Sequence, residues 1–91
     1  MTDILVGGCE IRPNEDMTAN LSYWTHPSHR NRGIATRAVS IACGVASHLG
    51  IKKLEVLADK DNTASMKVAT NNGFEQSEDV GARRCFHLAL T

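Results

Sequence analysis

A chain of 91 residues has room for one domain, and a formal net charge of +0 removes the electrostatic footprint of a general nucleic-acid binder. Hydrophobic residues make up 42% of it, but one Trp, one Tyr and two Phe leave the core to Ile, Leu, Val and Ala. No apolar run reaches the length of a membrane span and the N-terminus lacks the order of a signal peptide, so the expected location is the cytoplasm, with no membrane or nucleic-acid partner.

Taken in chain order, the run from Ile4 to Ile11 is short, apolar and β-rich, and Pro13-Asn14-Glu15-Asp16 supplies its exit turn. Leu21 to Thr25 has the composition of a second strand, stopped by Pro27, and the two are expected to form an antiparallel hairpin. From Gly33 to Leu49 the apolar positions Ile34, Ala38, Ile41, Ala42, Val45 and Leu49 recur at helical spacing, and Gly50 sits where a helix stops. Leu54 to Ala58 suits a buried strand. The strand, helix, strand order makes the flanking strands parallel.

Asn62 or Thr63 can cap a second helix over about Ala64 to Asn72, ended by Gly73, with an extended segment beginning at Phe74. Arg84 to Leu90 then alternates Arg84, Phe86, Leu88 and Leu90 with Cys85, His87 and Ala89, so the chain closes on a strand. The expectation is an α/β chain with a mixed sheet, about five strands and two helices. Without repeats, low-complexity tracts or linkers, it forms a single unit over residues 1–91.

Chemistry concentrates at Arg30-Asn31-Arg32-Gly33-Ile34-Ala35-Thr36. Guanidinium groups and unpaired backbone N–H groups converge there at the start of a helix, where the macrodipole favours negative charge. The first ligand it suggests is a pyrophosphate. A pair of solvated arginines at a helix entrance is the plainer reading of the same residues. His26 and His29 lack a neighbouring Cys or carboxylate cluster and read as turn residues, so no metal is expected. Cys9, Cys43 and Cys85 are odd in number and widely spaced, which fits reduced thiols used in packing. Trp24 beside Tyr23 reads as half-buried strand packing.

Two blocks together carry a resemblance. Residues 27–36 resemble the acetyl-coenzyme A signature of the GNAT superfamily of N-acetyltransferases, an Arg or Gln followed after two residues by Gly and then, one further on, by Gly or Ala. Asn62-Thr63-Ala64-Ser65, Val68-Ala69 and Gly73-Phe74 are similar to the next motif of that superfamily, at the expected distance. Tyr23-Trp24 and Ala35-Thr36 are similar to the branch that includes ribosomal-protein N-terminal acetyltransferases. The resemblance runs from about Ile4 to the C-terminus and matches the later part of the family domain, an acyl-CoA N-acyltransferase core truncated at its N-terminus.

What the resemblance implies is an acetyl-CoA-dependent N-acetyltransferase that moves acetyl to a primary amine, a protein N-terminus or a small molecule, by direct attack in a ternary complex. Arg30, Arg32, Gly33, Ile34, Ala35 and Thr36 would hold the coenzyme pyrophosphate. Thr25 would meet the pantetheine arm and lie beside the acetyl carbonyl, where a backbone N–H can stabilise an oxyanion. Asn62 would contact pantetheine and Ser65 would protonate the leaving thiolate, because the position of the tyrosine used by many members is Ala69 here. Glu10, Glu55 and His26 are candidates for the base by residue type, and Glu10 is preferred. The alternative is a catalytically silent coenzyme-binding or assembly module. With the leading family elements absent, Ile4 to Ile11 becomes an unprotected edge, and a homodimer or larger oligomer is expected, strand exchange being one way to form it.

Overall fold

The structure is a computed structural model that describes residues 3–6, 8–23 and 32–90, with Arg32 described by its backbone alone. In chain order the elements are β1 (Ile4–Val6), β2 (Cys9–Pro13), β3 (Thr18–Tyr23), α1 (Arg32–His48), β4 (Lys53–Asp59), α2 (Thr63–Asn71), β5 (Glu75–Gln76) and β6 (Arg83–Ala89). Among the described residues the strands form one mixed sheet in the order β1-β2-β3-β4-β6-β5. β3 and β4 are parallel and every other neighbouring pair is antiparallel.

The expected hairpin and the parallel pair are both present, but the first strand is different. Instead of one strand from Ile4 to Ile11, the chain reverses, with Ile4 opposite Ile11 and Val6 opposite Cys9. The sequence signal for this is the Gly7-Gly8 dipeptide between apolar runs, a pattern that reads as a hairpin. The reversal adds a strand, giving six rather than about five.

Both helices stop by the same device. Gly50 and Gly73 each take φ of 85°, a left-handed conformation that glycine enters without strain. Ile51 N then donates to the Ala46 carbonyl at 3.0 Å, and Phe74 N to the Ala69 carbonyl at 3.1 Å, closing the last turn of each helix. Both bonds also turn the chain inward, so Ile51 and Phe74 enter the core.

On α1, the buried residues Ala35, Val39, Ala42 and Ala46 fall on one stripe and pack over β1 and β2. The small alanines let α1 lie close to the sheet. On α2, Ser65, Val68 and Ala69 are buried against α1 and β4. Both helices therefore cover the face that carries Cys9, Ile11, Ala19, Leu21, Leu54 and Val56. Ile11, Leu54, Val39 and Val68 are among the largest fully buried side chains. Truncating one of the larger ones to Ala would cost about 2–5 kcal/mol. The opposite face, with Glu10, Arg12, Asn20, Ser22, Glu55 and Leu57, has no helix over it among the described residues.

Candidate functional site

The parallel pairing of β3 with β4 is short. It holds Thr18 to Lys53, Ala19 to Leu54 and Asn20 to Glu55, and then ends, although β3 continues to Tyr23 and β4 to Asp59. Beyond Asn20 and Glu55 the two strands part, and backbone groups of both face a gap rather than each other. A cavity of about 220 Å³ fills the gap, lined by residues 21–23 of β3, residues 56–59 of β4, Asn62 and Ser65 of α2, and Arg83 of β6.

The start of α2 closes one end of this cavity. Asn62 caps the helix, its side-chain oxygen accepting a hydrogen bond from Ser65 N at 3.1 Å. Ser65 is buried, and its carbonyl accepts a 2.8 Å hydrogen bond from the Tyr23 hydroxyl. Burial pushes the Tyr23 phenol above its ordinary pKa, with the bond to Ser65 opposing, so the phenol is neutral near pH 7. Tyr23 on β3 is thereby tied to α2, and Asn62, Ser65 and Tyr23 form one connected wall.

A second, wider hollow of about 600 Å³ lies at the opening of α1, lined by Gly33, Thr36, Arg37, Ser40, Asn71 and Asn72. Asn72 Nδ2 donates to the Thr36 carbonyl at 3.1 Å and to the Val68 carbonyl at 3.0 Å, fastening the end of α2 to the first turns of α1. A Cβ built on Gly33 would meet nothing within 4 Å, so the backbone there borders open space. The first turn of α1 contains no acidic residue to compensate its dipole.

A third cavity, of about 150 Å³, opens on the uncovered face of the sheet and is lined by Arg12, Asn20, Leu21, Ser22, Glu55, Leu57 and Arg83. It shares Leu21, Ser22, Leu57 and Arg83 with the cavity between the strands. The two are thus opposite sides of one opening through the sheet.

Of the residues singled out in the sequence, Asn62 and Ser65 line the cavity between β3 and β4, while Gly33 and Thr36 line the hollow at α1. Ala35 is buried in the core and Ile34 is 68% exposed. Thr25 and Arg30, as well as the side chain of Arg32, lie outside the described residues. Glu10 sits on the uncovered face opposite Ser22, where its carboxylate accepts a 2.8 Å hydrogen bond from Arg12, and it does not line the cavity between the strands. Glu55, the other carboxylate named by type, lines the cavity on that face and pairs with Lys53 at 3.3 Å.

Sequence reasoning passed over Arg37, Asn72 and Arg83. Arg37 follows Gly33 by four positions, one helical turn, and that spacing was the available signal. Arg83 reaches the site through the pairing of β6 with β4, which sequence spacing does not encode. Cys9 and Cys85 are buried and Cys43 is partly buried, all three as free thiols. Among the described residues no cluster of His, Cys, Asp or Glu could hold a metal, and no helix is long and apolar enough to cross a membrane.

Solved structures share this fold at low identity. A candidate ribosomal-protein-serine acetyltransferase from Vibrio cholerae superposes with a TM-score of 0.78 at 20% identity, over 89% of this chain and 54% of that one. The GNAT domain of PAT from S. lividans gives 0.78 at 16%, over 89% and 52%. RimJ of Mycobacterium smegmatis, solved in complex with CoA-disulfide, gives 0.77 at 20%, over 89% and 46%. The chain therefore spans about half the length of these proteins. No curated protein matches it. The profile of the acetyltransferase (GNAT) domain matches residues 1–75, and with the parted parallel strands and the capped helix beside them, the chain belongs to the GNAT acetyltransferase family.

Proposed function

We propose that this chain carries the donor side of an acetyl-CoA-dependent N-acetyltransferase that acetylates a primary amine. The observation that carries this reading is the gap between β3 and β4, which begins at Asn20 and Glu55 and is open to both faces of the sheet. A thioester arm entering from the helix side would meet the backbone of residues 21–23 and 56–59 and the side chains of Asn62 and Ser65. The open space beside Gly33, with Arg37 next to it, fits the phosphates of the same molecule at the positive end of α1. The coenzyme supplies an acetyl group activated as a thioester.

The amine enters from the uncovered face. Its nitrogen must be neutral to attack, and Glu55, on the acceptor side of the gap, is the better placed of the candidate bases, because Glu10 lines neither side of the gap. The C–N bond forms as the C–S bond breaks. Of the two protons that an ammonium loses, the first goes to Glu55, and the second ends on the sulfur, through the hydroxyl of Ser65. The products are an amide and the free thiol.

Release of coenzyme A, followed across a panel of primary amines, tests the proposal. Turnover on at least one amine, lowered by Glu55→Gln, is expected. Coenzyme A binding without turnover on any amine would instead favour a silent coenzyme-binding module.

A further inference from the structure

On the assumption that the gap between β3 and β4 is the site of acetyl transfer, the acceptor must pass through the cavity on the uncovered face. That cavity has a definite chemistry. In register across the sheet, Arg12 lies opposite Asn20, and Asn20 opposite Glu55, so a cation, an amide and a carboxylate stand in one row, spaced by one strand each. Arg83 closes the far side, where the cavity meets the gap.

We infer that the acceptor is a small amino acid, bound through both its ammonium and its carboxylate. Two guanidinium groups line the cavity, and although Asp3, Glu10 and Asp59 offset their charge, the open edge of the Arg83 guanidinium suits an amine bearing an anionic group better than a simple alkylamine or a polyamine. Arg83 is the main carboxylate holder. Its ion pair with Asp59 is a long 3.4 Å contact through Nε, between side chains 60% and 67% exposed. The two terminal nitrogens of its fork carry no ion pair among the described residues, which leaves the bidentate edge for a carboxylate. Arg12 is engaged at Nε by Asp3 and at Nη2 by Glu10, so its fork and its charge are already taken up and it forms a wall rather than a ligand holder. Glu55 takes the ammonium, at the edge of the gap where the nitrogen must react.

Size points the same way. At about 150 Å³ the cavity is smaller than the other two described above, which suits the backbone of an amino acid with a short side chain better than a bulkier acceptor. A peptide would fit by its end alone, and it would bring a neutral amide where Arg83 presents its charge.

Alanine, alaninamide and N-acetylalanine, titrated into isotopically labelled protein without acetyl-CoA, provide the test by amide chemical shifts. Alanine is expected to shift signals of Ser22, Glu55 and Arg83, with alaninamide binding about tenfold more weakly. Arg83→Gln, shown by its melting curve to be folded, is expected to erase the preference for alanine over alaninamide. Alaninamide binding as well as alanine, alanine shifting signals elsewhere, or no shifts at all would each overturn the inference. A separate coenzyme A titration, read at Gly33 and Asn62, reports on the acetyl-donor reading. Shifts there beside a lost carboxylate preference would sink the acceptor assignment alone, and their absence would sink the donor reading.

Discussion

The hydroxyl of Tyr23 donates to the carbonyl of Ser65 at 2.8 Å, joining residues 42 positions apart. This bond fastens the free end of β3 to the first turn of α2 at the point where β3 has parted from β4. It fixes the width of the gap from the helix side. Tyr23→Phe leaves the Ser65 carbonyl short of a partner and is expected to cost about 1–2 kcal/mol in a denaturant titration. A loss confined to stability, with acceptor affinity unchanged, would fit a positioning role; a large loss of turnover at unchanged stability would instead make the phenol a proton donor.

Glu55 and Glu10 are separable by kinetics. Glu55→Gln is expected to lower kcat by about a hundredfold, the scale of a lost general base, whereas Glu10→Gln is expected to change it little. Ser65→Ala tests the acid in the same assay. If Glu10→Gln carries the larger loss, the base lies on β2 and the assignment to Glu55 fails.

Gly33 separates binding from folding. A methyl group at this position meets nothing within 4 Å, so Gly33→Ala keeps the fold and, inside a helix, is expected to raise stability by about 0.5–1 kcal/mol. The same methyl occupies the space through which a phosphate would approach the backbone. Calorimetric titration with coenzyme A is expected to show weaker binding by the variant despite its higher melting temperature. Unchanged affinity would move the phosphate site away from this turn.

Cys43 gives the pH dependence a sign. Burial first, and then the neighbouring Cys9 thiol, raise its pKa from 9.0 to about 11, so the folded state prefers the protonated thiol. The stability this contributes is complete below about pH 9 and is lost as pH rises towards about 11. Cys9 and Tyr23 are shifted in the same direction by burial. Melting temperatures from pH 8 upward are expected to fall through this window, and less steeply in Cys43→Ala. A flat profile would contradict it.

β1 is an edge strand of three residues, and Leu5 on it is 72% exposed. Its outer backbone groups are a template for a second chain, and we expect a homodimer paired through β1. Light scattering at micromolar concentrations checks this, with Leu5→Lys shifting the population towards monomer. A stable monomer in the parent protein would rule the pairing out.

Much of this architecture is written locally. The left-handed Gly50 and Gly73 and the cap at Asn62 act within a few residues, so periodicity and turn chemistry reveal α1 and α2 to within one or two positions. The buried face of α1, however, is not the one the apolar spacing indicates. Ile34, Ile41 and Leu49 are exposed, and Ala35, Val39, Ala42 and Ala46 face the sheet, because small side chains let the helix lie close to it. Apolar composition makes Ile4 to Ile11 look like one strand, although two adjacent glycines interrupt it. Ile4 folds back on Ile11, and a composition window cannot see a reversal within itself.

The sequence by itself determined both helices, the parallel strands that flank the first of them, the positions of Asn62 and Ser65 at a helix start, and the two blocks that mark the family. Only the tertiary structure decided that β3 and β4 part after three pairs, that Tyr23 reaches Ser65, and that Arg83 and Glu55 share a cavity with Arg12. The physical reason is range. Caps, glycine stops and helical stripes are settled by neighbours in the chain, whereas the gap depends on where sheet register ends and on contacts between strands far apart in sequence.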